Sequence, residues 1–253
     1  MRFTTIAHRD HEIMSPLAPA TVDALVEALA LRKGATVLDV GCGNGAMLLR
    51  LLEHARKRVQ STVGIDRNPA MIEMATARTG DLPEHLRERV SWRCGEGRDV
   101  LDEEHRYNAL LCVGATGAFG GFGHTLAALP KLLVPGGRAL IGEGYWRREP
   151  APEYLEALGA TRDEMTGFEE TIARAQAAGF KVTSAIESTT AEWEKYESLY
   201  ANAIERWCEE NAHDEEAEAF RQRIARWREA YERWGRNTLG FVALVVATQR
   251  VAA

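Results

Sequence analysis

Two acidic residues and three glycines carry the first chemistry visible in this sequence. The run Val37-Leu38-Asp39-Val40 breaks into Gly41-Cys42-Gly43-Asn44-Gly45, with glycine at alternate positions. Twenty-one residues past Gly45 a second apolar run, Thr62-Val63-Gly64-Ile65, ends in Asp66. Glycine lets the backbone turn tightly and lets a ligand approach with no Cβ in the way. A carboxylate at the carboxyl end of a parallel strand can accept hydrogen bonds from two vicinal ribose hydroxyls. The two segments point to a nucleoside cofactor at the top of a doubly wound sheet, with Arg67 and Met71 placed to flank the adenosine.

Gly41-x-Gly43-x-x-Ala46 also fits the spacing of a dinucleotide fingerprint, so the glycines alone do not choose the cofactor. Asp39 two residues before the first glycine, and Gly45 inside the motif, depart from dinucleotide spacing. Cys94-Gly95-Glu96-Gly97 follows a strand expected over 89–93, and a glycine-flanked acid there can reach an adenine amino group.

The elements that must hold these residues alternate in type. A helix announced by Ser15-Pro16 and Pro19 carries Val22, Leu25, Val26 and Leu29 on one face and is expected to stop at Gly34. Strands are expected over 36–40, 62–66, 89–93, 109–113, 138–142, 181–186 and 241–248. Between them lie a helix with Met47, Leu48, Leu51 and Leu52, and one opened by Asn68-Pro69 with Met71, Ile72 and Ala75 buried. Further helices are expected over 125–133 and 169–178. Alternation of this kind is the signature of a parallel sheet with helical crossovers.

Residues 191–237 interrupt the pattern. This segment holds four of the six tryptophans and three of the six tyrosines. Trp193, Tyr196, Tyr200, Ile204 and Trp207 fall at helical spacing, as do Phe220, Ile224, Trp227, Tyr231 and Trp234, with a turn at 211–214 between them. The spacing predicts an αα-hairpin lid with two aromatic faces. Those faces either pack a core or a second subunit, giving a homodimer, or line a pocket for a substrate.

Taken together, these motifs resemble those of class I S-adenosylmethionine (SAM) dependent methyltransferases, over most of the chain. The resemblance implies an α/β, Rossmann-like fold: a seven-stranded, mostly parallel sheet with an antiparallel last strand and a helical lid inserted before it. It divides the chain into a SAM-binding domain (1–190 and 238–253, with 1–34 as cap and first helix) and the lid (191–237). It implies SAM as cofactor, S-adenosylhomocysteine as product, and Asp39, Gly41, Cys42, Gly43, Asn44, Gly45, Asp66, Arg67, Met71, Gly95, Glu96, Gly97, Val113 and Gly114 as cofactor contacts. Glu96 stands where Asp is commoner in the family.

Val113-Gly114-Ala115-Thr116 sits where the sulfonium lies in this fold. Methylases of nucleic-acid amino groups carry an Asn- or Asp-Pro-Pro-aromatic tetrapeptide there, and this chain has no proline at that point. The runs Cys112–Thr116, Gly142-Glu143-Gly144-Tyr145-Trp146-Arg147 and Trp193-Glu194-Lys195-Tyr196, with His11-Glu12-Ile13-Met14-Ser15-Pro16, resemble a little-characterised bacterial group of small-molecule methyltransferases. Acceptor contacts are then expected from Thr116, Tyr145, Trp146, Trp193, Tyr196 and Tyr200. Glu143, between two glycines at a strand end, and His11, ahead of the first helix, are the candidate proton acceptors. His8 and His124 are lesser candidates.

Bulk properties agree with a small-molecule enzyme. Apolar residues make up 45% of the chain and the formal charge is −6, opposite in sign to a nucleic-acid footprint. The 191–237 segment has twelve acidic residues against eight basic ones, a net −4 that repels phosphate backbones. No apolar run approaches membrane-spanning length, and the four cysteines show no metal-ligand spacing, so a reduced, cytoplasmic protein without metal is expected. Two other functions fit the same motifs: a SAM-binding regulator without turnover, and a nicotinamide-dependent oxidoreductase.

Overall fold

The computed structural model describes residues 1–248; the 249–253 portion of the assigned SAM-binding domain lies outside the described residues. Seven strands form one sheet: β1 (Ala35–Val40), β2 (Val59–Asp66), β3 (Val90–Cys94), β4 (Tyr107–Val113), β5 (Leu133–Trp146), β6 (Phe180–Glu187) and β7 (Leu239–Thr248). Their order is β3-β2-β1-β4-β5-β7-β6. The first five run parallel, and β7 runs antiparallel to both β5 and β6. Strand order reverses between β1 and β4, and such a switch point leaves a crevice at the carboxyl ends of the strands.

Helices cover both faces, which is why the central strands read as continuous apolar runs. On one face Val37, Leu111, Leu140 and Val245 pack against α2 (Pro19–Ala28) and α3 (Ala46–His54). The opposite face sets Leu38, Leu110, Ile141 and Leu244 against α6 (Phe122–Leu132) and α8 (Phe168–Ala177). Beside β2 and β3 lie α4 (Pro69–Thr79) and the single turn α5 (Glu84–Arg87). Asn68 caps α4 as its spacing suggests, its side chain accepting from the Ala70 N–H.

The 191–237 segment is an αα-hairpin of α9 (Thr190–Glu210) and α10 (Ala217–Ala230), closed by a π-helical turn, Tyr231–Gly235. Thr189 and Glu192 cap α9 reciprocally, each side chain accepting the other's backbone N–H. The aromatic stripes are spent inside the chain. Phe220 packs on Trp207 and on Phe3, whose ring centroid lies 5.1 Å away. Trp193 packs on Phe241 and joins the main core under the sheet. None of the stripe rings is exposed.

The structure departs from the expected elements in several places. A helix α1 (Arg2–Ala7) precedes the first expected one and packs on α9. The helix expected to reach Gly34 stops at Ala28, where Ala30 takes a left-handed φ of 46°. The fifth strand extends past Gly142 to Trp146, because β7 continues to pair with it through Glu143, Tyr145 and Trp146. A further helix, α7 (Pro152–Leu158), follows β5 and buries Tyr154. Among the described residues no helix is long and apolar enough to cross a membrane.

Candidate functional site

The glycine turn leaves β1 at the switch point and is held by its neighbours' backbone. Gly41 and Cys42 donate their N–H groups to the Ile65 carbonyl at 2.8 and 3.0 Å. Asp66 staples the turn to the next helix: its Oδ2 accepts from Gly43 N–H and its Oδ1 from Asn68 N–H, each at 2.9 Å. Gly43 has φ +52°, and a Cβ there would stand 2.7 Å from Met14 Sδ. The cradle therefore admits only glycine. Gly45 serves packing instead, since a Cβ on it would meet Trp92 at 2.6 Å.

Above the turn lies a cavity of about 520 Å³. The turn contributes Gly41, Cys42, Gly43 and Asn44; β2 ends there with Asp66 and Arg67; the loop after β3 adds Gly95, Glu96 and Gly97; β4 ends there with Val113 and Gly114. The roof comes from Thr4, His8, Ile13, Met14 and Ser15, with Tyr196 of α9. Asn44 pins this roof, its buried side-chain amide donating to the carbonyls of His11 at 3.0 Å and Glu12 at 3.3 Å.

Two features of the wall are chemically distinctive. Asp39, 4% exposed, has no hydrogen-bond donor among the described residues, and burial together with the Asp66 charge pushes its carboxyl up to about 8. A cation delivered beside it restores the carboxylate. In the roof, His8 Nδ1 lies 2.9 Å from the Thr4 carbonyl, so Nδ1 carries the proton; Nε2, 3.0 Å from the Tyr196 hydroxyl, accepts from it. Burial pushes His8 down to about 4, keeping the imidazole neutral.

Several expected site residues lie elsewhere. Met71 is core, 2% exposed and away from the cavity. Tyr145 packs on Phe168, and Trp146 packs on Tyr154 while its indole N–H donates to the Arg162 carbonyl. Neither touches the cavity, because both sit in the extended part of β5 rather than at a free strand end. Trp193 and Tyr200 pack on Phe241 and Phe3 respectively. Glu143 and Thr116 bond to each other, Thr116 Oγ1 donating to Glu143 Oε2 at 2.6 Å, just behind the Gly114–Ala118 wall. Burial raises the Glu143 carboxyl, opposed by its bonds to Thr116 and the Gly144 N–H. The glycines beside it leave no room for a ligand: Cβ atoms there would meet Phe241 and Val113, or Met165, at 2.6 Å. His11 is buried outside the cofactor cavity.

The cavity also takes in residues that the sequence did not single out as contacts: Thr4 in the roof, and Met47, Ile65 and Arg98 in the walls. Thr4 carries no motif of its own, whereas Ile13, Met14 and Ser15 belong to the His11–Pro16 run on which the resemblance rests.

The cradle suits the nucleoside expected from the motifs: a glycine turn that a Cβ would fill, an acid at the second strand's end, and a buried acid lacking a cation. A model of a "Methyltransferase domain" matches residues 37–137, which span the turn, Asp66, Glu96 and β4. Residues 37–137 thus form a methyltransferase domain, within a chain that has the fold of SAM-dependent methyltransferases. The chain is 29% identical over 95% of its length to the uncharacterized protein YjhP of Escherichia coli K12, of which the match also covers 95%. A SAM-dependent methyltransferase from Geobacter sulfurreducens, solved with S-adenosylhomocysteine, is 28% identical, with a TM-score of 0.89 and 98% of each chain covered. One from Thiobacillus denitrificans, solved with the same product, is 29% identical, with a TM-score of 0.87 and 98% and 99% covered. These relatives match across the αα-hairpin as well as the sheet.

Proposed function

We propose that this methyltransferase passes the methyl group of SAM to a small organic acceptor that enters from the roof side of the cavity. The observation carrying this reading is the juxtaposition of Asp39, Asp66 and the glycine turn around one cavity, roofed by a polar pair, His8 and Tyr196. When bound, SAM supplies an electrophilic methyl on its sulfonium. Asp66, already oriented by two backbone N–H groups, keeps lone pairs for the ribose hydroxyls. Glu96 and its flanking glycines suit the adenine edge. Asp39 suits the ammonium of the amino-acid end.

The remaining work is positioning and exclusion of water, and positioning at its best is worth roughly 7–11 kcal/mol. Met14 and Ile13 close the roof over the turn. The neutral His8 holds the Tyr196 hydroxyl toward the cavity, and Glu143 steadies the Gly114–Ala118 wall through Thr116 rather than touching the acceptor. A small acceptor is favoured by the cavity's size and by the hairpin's acidic charge.

Calorimetry with Asp66→Ala tests the cofactor side. Loss of a charge-assisted acceptor should weaken SAM binding by about 1.5–3 kcal/mol, at least roughly tenfold, with circular dichroism unchanged. Wild-type affinity in that variant would remove the assignment of Asp66 and with it the placement of the cofactor.

A further inference from the structure

The end of the sheet opposite the cofactor cavity carries an open groove of about 600 Å³. Its walls include the residues that lead into three neighbouring strands: Gly34 just before β1, Val59 opening β2, and Arg89 just before β3. Five of the nine lining residues are Lys or Arg: Lys33, Arg56, Lys57, Arg58 and Arg89. His85 stands with them, and no acidic residue lines the groove. In a chain of net −6 this is a local reversal of sign.

The charges reach solvent and are mostly unmatched. Lys33, Arg56, Lys57 and His85 are exposed, and the Arg58 side chain is 38% exposed. Among the described residues, Arg58 alone of the five forms an ion pair, with Glu27 at 3.5 Å, and Glu27 also takes His54 at 2.7 Å. Glu53, Glu84 and Glu88 are near in the sequence but line no part of the groove. Arg89 is fixed in place, its Nη1 donating to the carbonyls of Arg56 at 2.8 Å and Val59 at 3.1 Å. Its Nε and Nη2 remain as donors, since a guanidinium has five N–H groups.

One structural cause accounts for a part of this. Arg56, Lys57 and Arg58 follow the carboxyl end of α3, where the helix dipole favours cations. A helix end carries only about half a unit charge, a small share of what the groove collects. Like charges around one space repel, and an anion of several charges relieves that repulsion. A monoanion leaves most of them unmatched, and a long polyanion overruns the groove onto a chain of its own sign. Guanidinium and ammonium groups both suit phosphate oxygens, and adjacent phosphates place several charges within a short length.

We propose that this groove is a binding site for a short run of adjacent phosphates, borne by a free oligophosphate or by the tail of a nucleotide. It lies at the far end of the sheet from the glycine turn, so it stands apart from the acceptor side of the methyl-transfer reading.

Calorimetry on the full chain tests this with tripolyphosphate, ATP, sulfate and an oligoglutamate of matching charge, all at the same ionic strength. Saturation with S-adenosylhomocysteine keeps the nucleotide out of the cofactor cavity. Tripolyphosphate should bind one to one and at least about tenfold tighter than sulfate or oligoglutamate. ATP binding as tightly assigns the run to a nucleotide tail, and ATP binding more weakly assigns it to a free oligophosphate. Lys33→Glu combined with Lys57→Glu should weaken tripolyphosphate at least about tenfold and leave S-adenosylhomocysteine affinity unchanged. Lys131→Glu combined with Lys181→Glu, at exposed positions outside the groove, makes the same change in net charge and should alter neither affinity. Tripolyphosphate no tighter than sulfate, or weakened equally by both double variants, overturns the proposal. Tighter binding of oligoglutamate overturns it in favour of an acidic protein partner.

Discussion

Asp39 occupies poor surroundings for a carboxylate: buried, undonated, and beside the charge of Asp66. Its carboxyl, raised to about 8, stays protonated in the free protein where an exposed aspartate is ionised. A bound ammonium favours the ionised form, so binding below that pH releases a proton. SAM affinity should then rise with pH, by up to roughly tenfold per unit well below 8, and level off as an α-amino group begins to titrate near ~7.7–8.0. Asp39→Asn should bind more weakly and show no such slope in calorimetry between about pH 6 and 7.5; a retained slope would place the proton elsewhere. The sequence made Asp39 and Asp66 legible because each ends an apolar run just where a glycine or a helix cap follows. At Glu143 the flanking glycines have another cause than the one expected. A glycine inside a strand says that something approaches closely, not what, and here the visitors are Phe241, Val113 and Met165.

The αα-hairpin is the element that the sequence disclosed most fully, since two stripes of rings at helical spacing left little choice. Its partner was hidden. With only six residues, α1 has too few turns for a period to show, and the rings its Phe3 meets, Tyr200 and Phe220, stand far away in the sequence. Between the two hairpin helices lies Glu197, 7% exposed, which accepts from the Trp227 indole N–H at 2.6 Å. Burial lifts its carboxyl from 4.5 to about 7, against the pull of that bond. A raised carboxyl contributes its stability below the unfolded value and loses it as pH climbs through the folded one. Thermal melts should accordingly show Glu197→Gln gaining on the wild type from about pH 4.5 upward, by on the order of 3 kcal/mol above pH 7. Parallel melting curves across that range would mean the carboxylate is ionised in the folded state.

At the scale of the whole molecule, cofactor floor and roof come from distant stretches. The floor is β1, β2 and β4; the roof is the 4–15 segment, backed by α9, while α10 meets α1 through Phe220 and Phe3. The floor was legible because strand, glycine and acid are local signals. Nothing local marks a roof whose fit depends on Phe3 seating against Phe220 and Tyr200. Phe220→Ala should therefore act at a distance: truncation of a buried Phe costs about 3–5 kcal/mol, and here the loss falls on the seat of α1. Hydrogen exchange should speed up at residues 2–8 and SAM affinity should fall, while amides of β1 and β4 keep their protection. Unchanged exchange in α1 would show that polar contacts, among them those of Asn44 and the His8–Tyr196 bond, hold the roof without Phe220.

The backing by α9 also sets an order of events during synthesis. The His8 imidazole leaves the ribosome long before the Tyr196 hydroxyl that bonds it. At ~5–20 residues per second the interval is roughly 10–40 s. The floor strands β1 to β4 are made during that time, and after them the roof still has no α9 to lie on. A nascent chain can thus present the glycine turn and both acids without being able to shut them away from water. The wall that Tyr196 gives the cavity, and its bond to His8, can form only once α9 has been made, so a ribosome stalled before the hairpin displays a crevice that still lacks that side.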